Sequence, residues 1–418
     1  MRKPTWIQAG FFVASLAVLG VLVYQVPAVN HRLSWRVDFA LTYLRGIIDP
    51  VEEMPTALPQ PVVLVTKHPT ETPEVTPTPG ITASPTPGPT PTRTPTPTPI
   101  PGEVSLPAPA YEKQDVNNCG PATLSIYLRY YGWEGDQYDI ASLTKPNSAD
   151  RNVNVEELMY FVNTKAGWLN AIYRVGGDID LLKSFLAAGI PVMIEEGFDL
   201  DQGYWPGDDQ WAGHYLFLNG YDDAKSTFTA QDSFRGPDQI IPFETVKEHW
   251  QAFNYVYILL YPPEQQGTVE ALLGDNQDEE KNRQHALELA QAETESEPEN
   301  AYAWFNLGTN LIYFERYAEA GRAYDTAREL DLPQRMLRYQ FGPFFAYFFG
   351  GRNDDLLALT EYALKRTPNS EEAKLWRGWG MYRAGKSGEA IDLFNSALED
   401  NPTDEDVLYA LQYVQENP

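Results

Sequence analysis

A run of threonine and proline from Pro69 to Gly102 limits what this chain of 418 residues can fold into. Its main part is TPTPGITASPTPGPTPTRTPTPTPIPG. Proline lacks an amide donor and fixes φ, and threonine offers little apolar surface, so this segment cannot build a core. We therefore expect a disordered linker over residues 56–104. In the extended polyproline II conformation it would act as a stalk of up to ~100 Å, at ~3.1 Å per residue.

An apolar run from about Trp6 to Val26 precedes the linker and follows two basic residues, Arg2 and Lys3. A helix of about twenty-one residues is roughly 32 Å long, which is enough to cross the apolar core of a bilayer. We predict a transmembrane signal-anchor over residues 1–30, with the basic tail in the cytoplasm and the bulk of the chain outside the cell membrane. A cleaved signal peptide, which would give a secreted protein, is the alternative.

Residues 31–48 alternate apolar and basic side chains at helical spacing. This pattern is typical of a short helix that lies against a membrane surface. We assign residues 31–55 to such a juxtamembrane helix, without a chemical role.

The composition excludes several kinds of partner. The chain has 31 lysines and arginines against 58 aspartates and glutamates, a net charge of −27, so no basic stripe can neutralise nucleic-acid phosphates. Its five histidines are scattered, and no HExxH, Cys-x-x-Cys or EF-hand spacing suggests a metal site. The sequence contains no Walker phosphate-binding loop, so nothing in it suggests ATP hydrolysis. We predict no nucleic-acid partner and no cofactor.

Residues 105–265 combine helical and strand patterns and predict one α+β domain with an antiparallel sheet. A helix should begin at Cys119 and continue to Tyr131, because Gly132 is a natural C-cap. Further helices are predicted near residues 155–165 and 178–188, and strands at residues 190–195, 214–220, 226–232 and 255–261.

Residues 280–418 show no strand pattern, and certain residue types recur in them at a spacing of 34 to 36 residues. Where the middle unit lacks the residue, the spacing is twice as long. The recurring positions are small residues (Ala320, Ala327, Ala363, Ala390, Ala397), aromatic residues (Tyr324, Phe394) and closing prolines (Pro333, Pro368, Pro402). This pattern resembles the tetratricopeptide repeat, although the middle unit has aromatic residues where the family has small ones. The resemblance implies an all-α domain of helix-turn-helix units whose concave face binds a protein partner. A rigid scaffold is the alternative.

Cys119 is the only cysteine of the chain, so it cannot form an internal disulfide. It lies in the sequence Gln-Asp-Val-Asn-Asn-Cys-Gly-Pro-Ala, where the predicted helix begins. A helix N-terminus favours negative charge and therefore the reactive thiolate form of the side chain. We predict that Cys119 is a nucleophile, which requires a base and a group that orients the base.

His214 is the candidate base, because it opens a predicted strand after a loop rich in glycine and tryptophan. If residues 221–225 form a five-residue turn, antiparallel pairing places Gly220 opposite Ser226 and His214 opposite Asp232. Opposed residues on neighbouring strands are about 5 Å apart, so the Asp232 carboxylate could hold the imidazole. A cap of the strand-end turn is the alternative role for Asp232.

Gln114 lies five residues before Cys119. Its side-chain amide could donate to a tetrahedral oxyanion together with the backbone N–H of Cys119. The spacing Gln114-x4-Cys119-Gly-Pro-Ala, followed by the pair Gly213-His214 and by Asp232, resembles the C39-like branch of papain-fold cysteine peptidases. That branch includes the double-glycine leader peptidases.

The resemblance implies a papain-like fold with Cys119 as the nucleophile and His214 as the base. Asp232 would then orient the base, and Gln114 would contribute to the oxyanion hole. The best-known members are fused to ABC exporters, whereas this chain has no multi-helix membrane domain and no Walker loop. We therefore do not assign their preference for double-glycine substrates to this protein.

The leading hypothesis is a membrane-anchored, extracytoplasmic cysteine peptidase that hydrolyses peptide bonds through an acyl-enzyme, with repeats that dock a protein or substrate. The same triad could instead attack another amide, as a cell-wall amidase or transpeptidase, or the chain could be a catalytically idle peptide-binding adaptor. Removal of residues 280–418 should spare the hydrolysis of small peptides. We expect solvated side chains at Glu195 and Glu196, a solvated or capping role for His249, and core or loop packing at Trp205 and Trp211.

Overall fold

The computed structural model of the chain describes residues 14–15, 18–20, 22–24, 26–50, 53–59, 100–147, 150, 152–203 and 207–418. Most of the predicted signal-anchor and nearly all of the Thr/Pro linker lie outside these residues. Among the helices of the described part, none combines the length and the apolar character that a bilayer crossing requires.

Helix α1 (Pro27–Ile48) overlaps the predicted juxtamembrane helix. Proline suits its first position, because φ is already helical and the missing amide leaves no hydrogen bond unmade. The chain then runs along the C-terminal helices, where Arg366 donates to the carbonyl of Pro50 (2.9 Å) and the Leu58 amide donates to Asp355 Oδ1 (2.9 Å). The first residues of the predicted linker are therefore held on the folded part of the protein.

An α+β domain with an antiparallel sheet follows the linker, as predicted. The strands are β1 (Glu103–Ser105), β2 (Asn170–Arg174), β3 (Val192–Asp199), β4 (Trp211–Asp222), β5 (Thr227–Asp232), β6 (Gly236–Pro242) and β7 (Tyr257–Tyr261). Their order in the sheet is β2-β7-β3-β4-β5-β6, and β1 pairs with one end of β4. The helices of this domain are α2 (Cys119–Tyr130), α3 (Gln137–Thr144), α4 (Val155–Lys165), α5 (Ile179–Ala187) and α6 (Phe243–Gln251).

Helices cover both faces of the central strands, so both faces are apolar. Because side chains alternate along a strand, Tyr215 and Phe217 face α2 and α4, whereas Leu216 faces α5 and α6. Helix α2 lies along β4: Gly120 packs against Tyr215, and the Tyr127 ring lies 5.1 Å from that of Phe217. The start of α2 therefore points toward the residues of β4 that precede Tyr215.

The predicted pairing of β4 with β5 is wrong in its register. The strands continue to the pair Asp222–Thr227, so Gly220 pairs with Thr229 rather than with Ser226. A bulge between Leu218 and Gly220 then moves the pairing back by one position, and Asp232 lies two residues away from the position opposite His214. Side chains at such diagonal positions on one face of a sheet are still neighbours.

Most other predicted elements are confirmed, with shifted ends. Helix α2 ends at Tyr130, and Gly132 follows with the left-handed φ of 85° expected of a C-cap. The sequence does not predict β2 or β6. Strand β6 has the sequence GPDQIIP, whose prolines argue against a strand but are tolerated at the edge of a sheet.

The chain after β7 is helical. Its helices are α7 (Gln266–Leu273), α8 (Glu279–Ser296), α9 (Ala301–Tyr313), α10 (Tyr317–Glu329), α11 (Gly342–Phe349), α12 (Asn353–Arg366), α13 (Glu371–Arg383), α14 (Ser387–Asp400) and α15 (Glu405–Glu416). A 3₁₀ turn, Gln334–Arg338, connects α10 to α11.

These C-terminal helices pack directly on the α+β domain. Asn254 and Asn310 exchange two side-chain hydrogen bonds of 2.9 and 3.0 Å, and Asn306 donates to the carbonyl of Gln251 (2.8 Å). One apolar cluster continues from α2 and β4 into α9, α10 and α11. The two parts of the chain therefore share a core.

Candidate active site

Cys119 is the first residue of α2 and is partly exposed. The loop before it is held by the buried side chain of Gln137, whose Oε1 accepts from the Asp115 amide (2.8 Å) and from Asn118 Nδ2 (2.7 Å). Gly120 permits close contact with the sheet, since a methyl group there would lie 3.3 Å from the Tyr215 ring. The sulfur is thus placed at the positive end of a helix dipole, on a supported loop.

His214 and Asp232 form a buried pair, with side chains 3% and 0% exposed and 2.8 Å between His214 Nε2 and Asp232 Oδ1. The Cys119 sulfur lies near the imidazole and helps to raise the His214 pKa. Because Nε2 faces Asp232, Nδ1 is the ring nitrogen left for the sulfur. The structure therefore brings together three of the four residues predicted for the site.

Opposing effects act on the pKa of His214. Burial lowers this pKa, but the hydrogen bond to Asp232, the neighbouring Cys119 sulfur and the charges of both groups raise it to about 10. The imidazole is then protonated at neutral pH, which suits a thiolate–imidazolium pair. The Phe198 ring, 5.6 Å from the imidazole, shields one side of it from water.

Asp232 also holds its own turn. Its Oδ1 accepts from the amides of Phe234 (2.8 Å) and Arg235 (2.9 Å) as well as from His214. Burial raises the pKa of this carboxyl, but these hydrogen bonds and the His214 charge lower it below its ordinary value. One carboxylate therefore makes both kinds of contact considered for Asp232, with the imidazole and with the amides of the turn.

Gln114 is attached to the residue that follows Asp232. Its amide donates to the carbonyl of Ser233 (2.9 Å), and its side-chain Oε1 accepts from Ser233 Oγ (2.9 Å). The Nε2 group is then the free end of the side chain. This arrangement is compatible with the predicted oxyanion donor, whose role remains a prediction.

The expectation that Glu195 and Glu196 are solvated is wrong, because their side chains are buried at 5% and 1% exposure. Glu196 lies opposite His214 on β3, and its Oε2 is 3.6 Å from Nδ1 of His249. Burial and then the charge of Cys119 raise the pKa of Glu195 well above its ordinary value. A protonated Glu195 avoids the cost of an unpaired buried charge beside the nucleophile.

The C-terminal helices contribute one wall near the nucleophile. Tyr339 lies over Gly213, where a methyl group would meet its ring at 2.9 Å. The Trp211 ring is 5.6 Å from that of Tyr339 and only 3% exposed, so Trp211 belongs to the core as expected. Trp205 lies outside the described residues. Sequence patterns do not reveal Tyr339, because it belongs to a different part of the chain.

No group of three or more histidine, cysteine, aspartate or glutamate side chains in the described part of the chain is arranged to hold a metal ion.

Comparison with known proteins identifies the family of this domain. Residues 105–258 match the family described as "Peptidase_C39 like family". Among curated proteins, no sequence matches the chain.

Several solved structures are similar to part of the chain. A putative C39-like peptidase from Bacillus anthracis is 18% identical, with 38% of this chain and 96% of that chain covered and a TM-score of 0.31. The peptidase domain of Streptococcus ComA, a bifunctional ABC transporter, is 15% identical, with 37% and 98% covered and a TM-score of 0.29. Xylellain, a cysteine protease from Xylella fastidiosa, is 14% identical, with 39% and 87% covered and a TM-score of 0.30.

Similarities with such low TM-scores carry no weight for activity or substrate. The family match of residues 105–258 does not depend on them. These residues belong to the C39-like peptidases, and the domain that they form is a cysteine peptidase domain.

Proposed function

We propose that this protein hydrolyses peptide bonds with Cys119 as the nucleophile, His214 as the base and Asp232 as the carboxylate that orients the base. The observation that carries the proposal is the buried His214–Asp232 hydrogen bond of 2.8 Å, with Cys119 near the same imidazole at the start of α2. A nucleophile, a base and an orienting group in mutual contact are what acyl transfer through a covalent intermediate requires.

The reaction follows from this geometry. The Cys119 proton is held by His214 as an imidazolium, and the thiolate attacks the substrate carbonyl carbon. The backbone N–H of Cys119 and Nε2 of Gln114 would donate to the oxyanion that forms. His214 then protonates the leaving amine, and water attacks the thioester with His214 again acting as the base. Asp232 keeps the imidazole in one orientation and stabilises its charged form.

The test combines thiol labelling with peptide cleavage by the full chain. A thiol-directed electrophile should label the wild type at neutral pH, and any label reports Cys119 because the chain has no other cysteine. Wild type should cleave members of a peptide library, whereas Cys119→Ala should cleave none. His214→Ala should lose cleavage and react slowly with the electrophile. His249→Ala is the matched control, because His249 faces Glu196 and takes no part in the triad. If His214→Ala cleaved peptides at the wild-type rate, the proposal would be contradicted.

For the C-terminal helices, we propose a tetratricopeptide-like array that docks a protein substrate. Gly308 packs against the ring of Tyr324 and Gly378 against that of Phe394, and a methyl group at either glycine would overlap the ring. In both pairs a glycine of one helix packs against an aromatic ring of the next helix, and the two pairs are two repeats apart, as the sequence pattern implies. Tyr409 is 62% exposed and offers apolar surface to a partner.

Docking and cleavage can be tested separately. Protein substrates would first be identified by sequencing the new N-termini that appear among extracytoplasmic proteins in the presence of active enzyme, with Cys119→Ala as the reference. Tyr409→Ser should then slow the cleavage of such a protein several-fold while a short peptide from its cleavage site is cut at the wild-type rate. Equal slowing of both substrates would contradict a docking role.

We also propose that residues 1–30 anchor the protein in the membrane and that the Thr/Pro linker acts as a stalk outside the cytoplasm. The support is the apolar run and the basic pair in front of it. The full chain should sediment with membranes and resist extraction by salt, and a chain without residues 1–30 should not. Recovery of the full chain, with its N-terminus intact, in the soluble fraction would contradict the anchor.

A further inference from the structure

We infer that Ser233 is a positioning residue, which fixes the side-chain amide of Gln114 with its donor end toward the oxyanion. The inference rests on the proposed function, since it concerns how the oxyanion donor of the same site is held. Ser233 comes directly after Asp232 and is 0% exposed. Neither the predicted triad nor the predicted oxyanion hole includes it.

Three hydrogen bonds join Ser233 to the segment that precedes the nucleophile. Its carbonyl accepts from the Gln114 amide (2.9 Å) and from the Tyr111 hydroxyl (3.2 Å). Its hydroxyl donates to Gln114 Oε1 (2.9 Å). The backbone and the side chain of Gln114 are therefore both attached to one residue, and the side chain has little freedom to turn away.

The direction of the hydroxyl bond matters because a glutamine amide has two unlike ends. An Oε1 atom that faced the reaction centre would repel a negative oxyanion, whereas Nε2 donates to it. A donor at Oε1 selects the productive orientation. Gln114 Oε1, at 2.9 Å, is a closer acceptor for the Ser233 proton than Thr123 Oγ1, which lies 3.3 Å away and donates to the carbonyl of Tyr215 (3.2 Å).

Two adjacent residues would thus hold two separate parts of the chemistry. Asp232 orients the base, and Ser233 orients the oxyanion donor. Both lie at the end of β5, where the turn is closed by the amides that Asp232 accepts. A shift of this turn would disturb proton transfer and oxyanion stabilisation together.

A double-mutant cycle on the full chain tests the inference. Gln114→Ala should lower kcat roughly 10²-fold, the usual effect of losing one oxyanion donor. Ser233→Ala should lower kcat by a smaller factor, roughly tenfold, with KM nearly unchanged, because ground-state binding does not use the oxyanion hole. In the Gln114→Ala background, Ser233→Ala should have no further effect on kcat. An equal loss in both backgrounds would show a general structural role and overturn the inference.

A peptide aldehyde provides a readout without turnover, since its adduct with the Cys119 thiol carries an oxygen at the oxyanion position. Ser233→Ala should weaken aldehyde binding by about the factor lost from kcat, and unchanged binding would overturn the inference. If the wild type neither cleaves peptides nor binds the aldehyde, the proposed function itself fails, which is a different outcome.

Matched variants separate positioning from folding. Ser125→Ala removes another buried hydroxyl, bonded to Glu112 rather than to Gln114, and its effect on kcat should not depend on Gln114. If Ser233→Ala does not fold, Ser233→Thr and Ser233→Val provide a pair of similar shape. Thr keeps the hydroxyl and should retain kcat, and Val should lose it. Equal kcat values for the two would overturn the inference.

Discussion

His214 is protonated far above the ordinary range of an imidazole because its partners outweigh its burial. Burial lowers its pKa, but Asp232 and the Cys119 sulfur raise it to about 10. The folded-state pKa lies above the unfolded value of about 6.5. The stabilisation by the charged imidazole is therefore complete below that value and is lost as pH rises through about 10. The lowered pKa of Asp232 acts in the opposite sense, and its stabilisation is lost in acid.

Asp232→Asn should move the alkaline limb of peptide hydrolysis to lower pH. The substitution removes the negative charge and the charge-assisted hydrogen bond that hold the proton on His214, so the imidazole deprotonates earlier. The measurement is kcat/KM against pH for the wild type and the variant. Asp238→Asn changes a carboxylate on the neighbouring strand that bonds Gln231 instead, and it should keep the wild-type profile. An unchanged alkaline limb in Asp232→Asn would refute the assignment.

Gly213→Ala should damage the site through packing alone. A methyl group at this position would lie 2.8 Å from the Phe253 ring and 2.9 Å from that of Tyr339. Since His214 is the next residue, relief of the overlap should displace it. We expect a loss of about 1–3 kcal/mol in the free energy of unfolding and a marked loss of activity. The control is Gly267→Ala, whose new methyl group would have no heavy atom within 4 Å, and it should change neither stability nor activity. The measurements are urea unfolding and the rate of peptide cleavage.

At the scale of elements, the loop before α2 depends on Gln137 of α3. This side chain accepts from the Asp115 amide and Asn118 Nδ2 and donates to Glu112 Oε1 (2.9 Å) and to the carbonyl of Lys113 (2.9 Å). The loop consequently keeps one conformation without regular secondary structure.

Gln137→Ala should leave the backbone and side-chain groups of this loop without partners. We expect a loss of about 1–3 kcal/mol in stability and slower labelling of Cys119, because the start of α2 becomes mobile. Labelling kinetics and urea unfolding are the measurements. The half-buried Gln239, on edge strand β6 and far from this loop in sequence, provides the control substitution to alanine. If Cys119 of Gln137→Ala were labelled at the wild-type rate, the loop would have to be held by other contacts.

At the scale of the whole molecule, the C-terminal helices are part of the support of the active site. Arg335 is buried and donates to the carbonyl of Trp211 (3.0 Å), near the start of β4, and it pairs with Asp208 in the preceding loop. From the sequence, we expect small-peptide hydrolysis to survive removal of residues 280–418. That expectation assumes that the repeats fold independently of the peptidase domain. The structure leads us to expect the opposite, since removal would expose the apolar surface of the shared core.

Arg335→Ala tests this dependence without deleting a region. Loss of the guanidinium removes the cation that is paired with the buried carboxylate of Asp208, which costs about 3–5 kcal/mol. The same variant should lose small-peptide hydrolysis, because the strand that carries His214 loses its support. Arg316→Ala breaks an exposed pair with Glu319 and should cost at most ~1 kcal/mol. Thermal unfolding and peptide cleavage by both variants are the measurements; full activity of Arg335→Ala would restore the view of an independent peptidase domain.

Several features of the protein were predictable because they depend on residues close together in sequence. The helix that begins at Cys119 follows from an apolar pattern ended by Gly132, and the strands around His214 and Asp232 follow from β-branched and aromatic runs. The α+β fold and the C39-like family are confirmed. The pairing register was predicted wrongly, because the strands pair closer to the turn than expected and a bulge lies between Leu218 and Gly220.

By itself, the sequence determined the kind of domain, the candidate nucleophile and its candidate partners, since local patterns and residue spacing encode these. Only the tertiary structure decided that Nε2 of His214 faces Asp232, that Ser233 holds Gln114 across 119 positions of the chain, and that Tyr339 covers Gly213. It also showed that Glu195 is buried rather than solvated. Such contacts depend on strand register and on the packing of distant helices, and a local pattern contains neither.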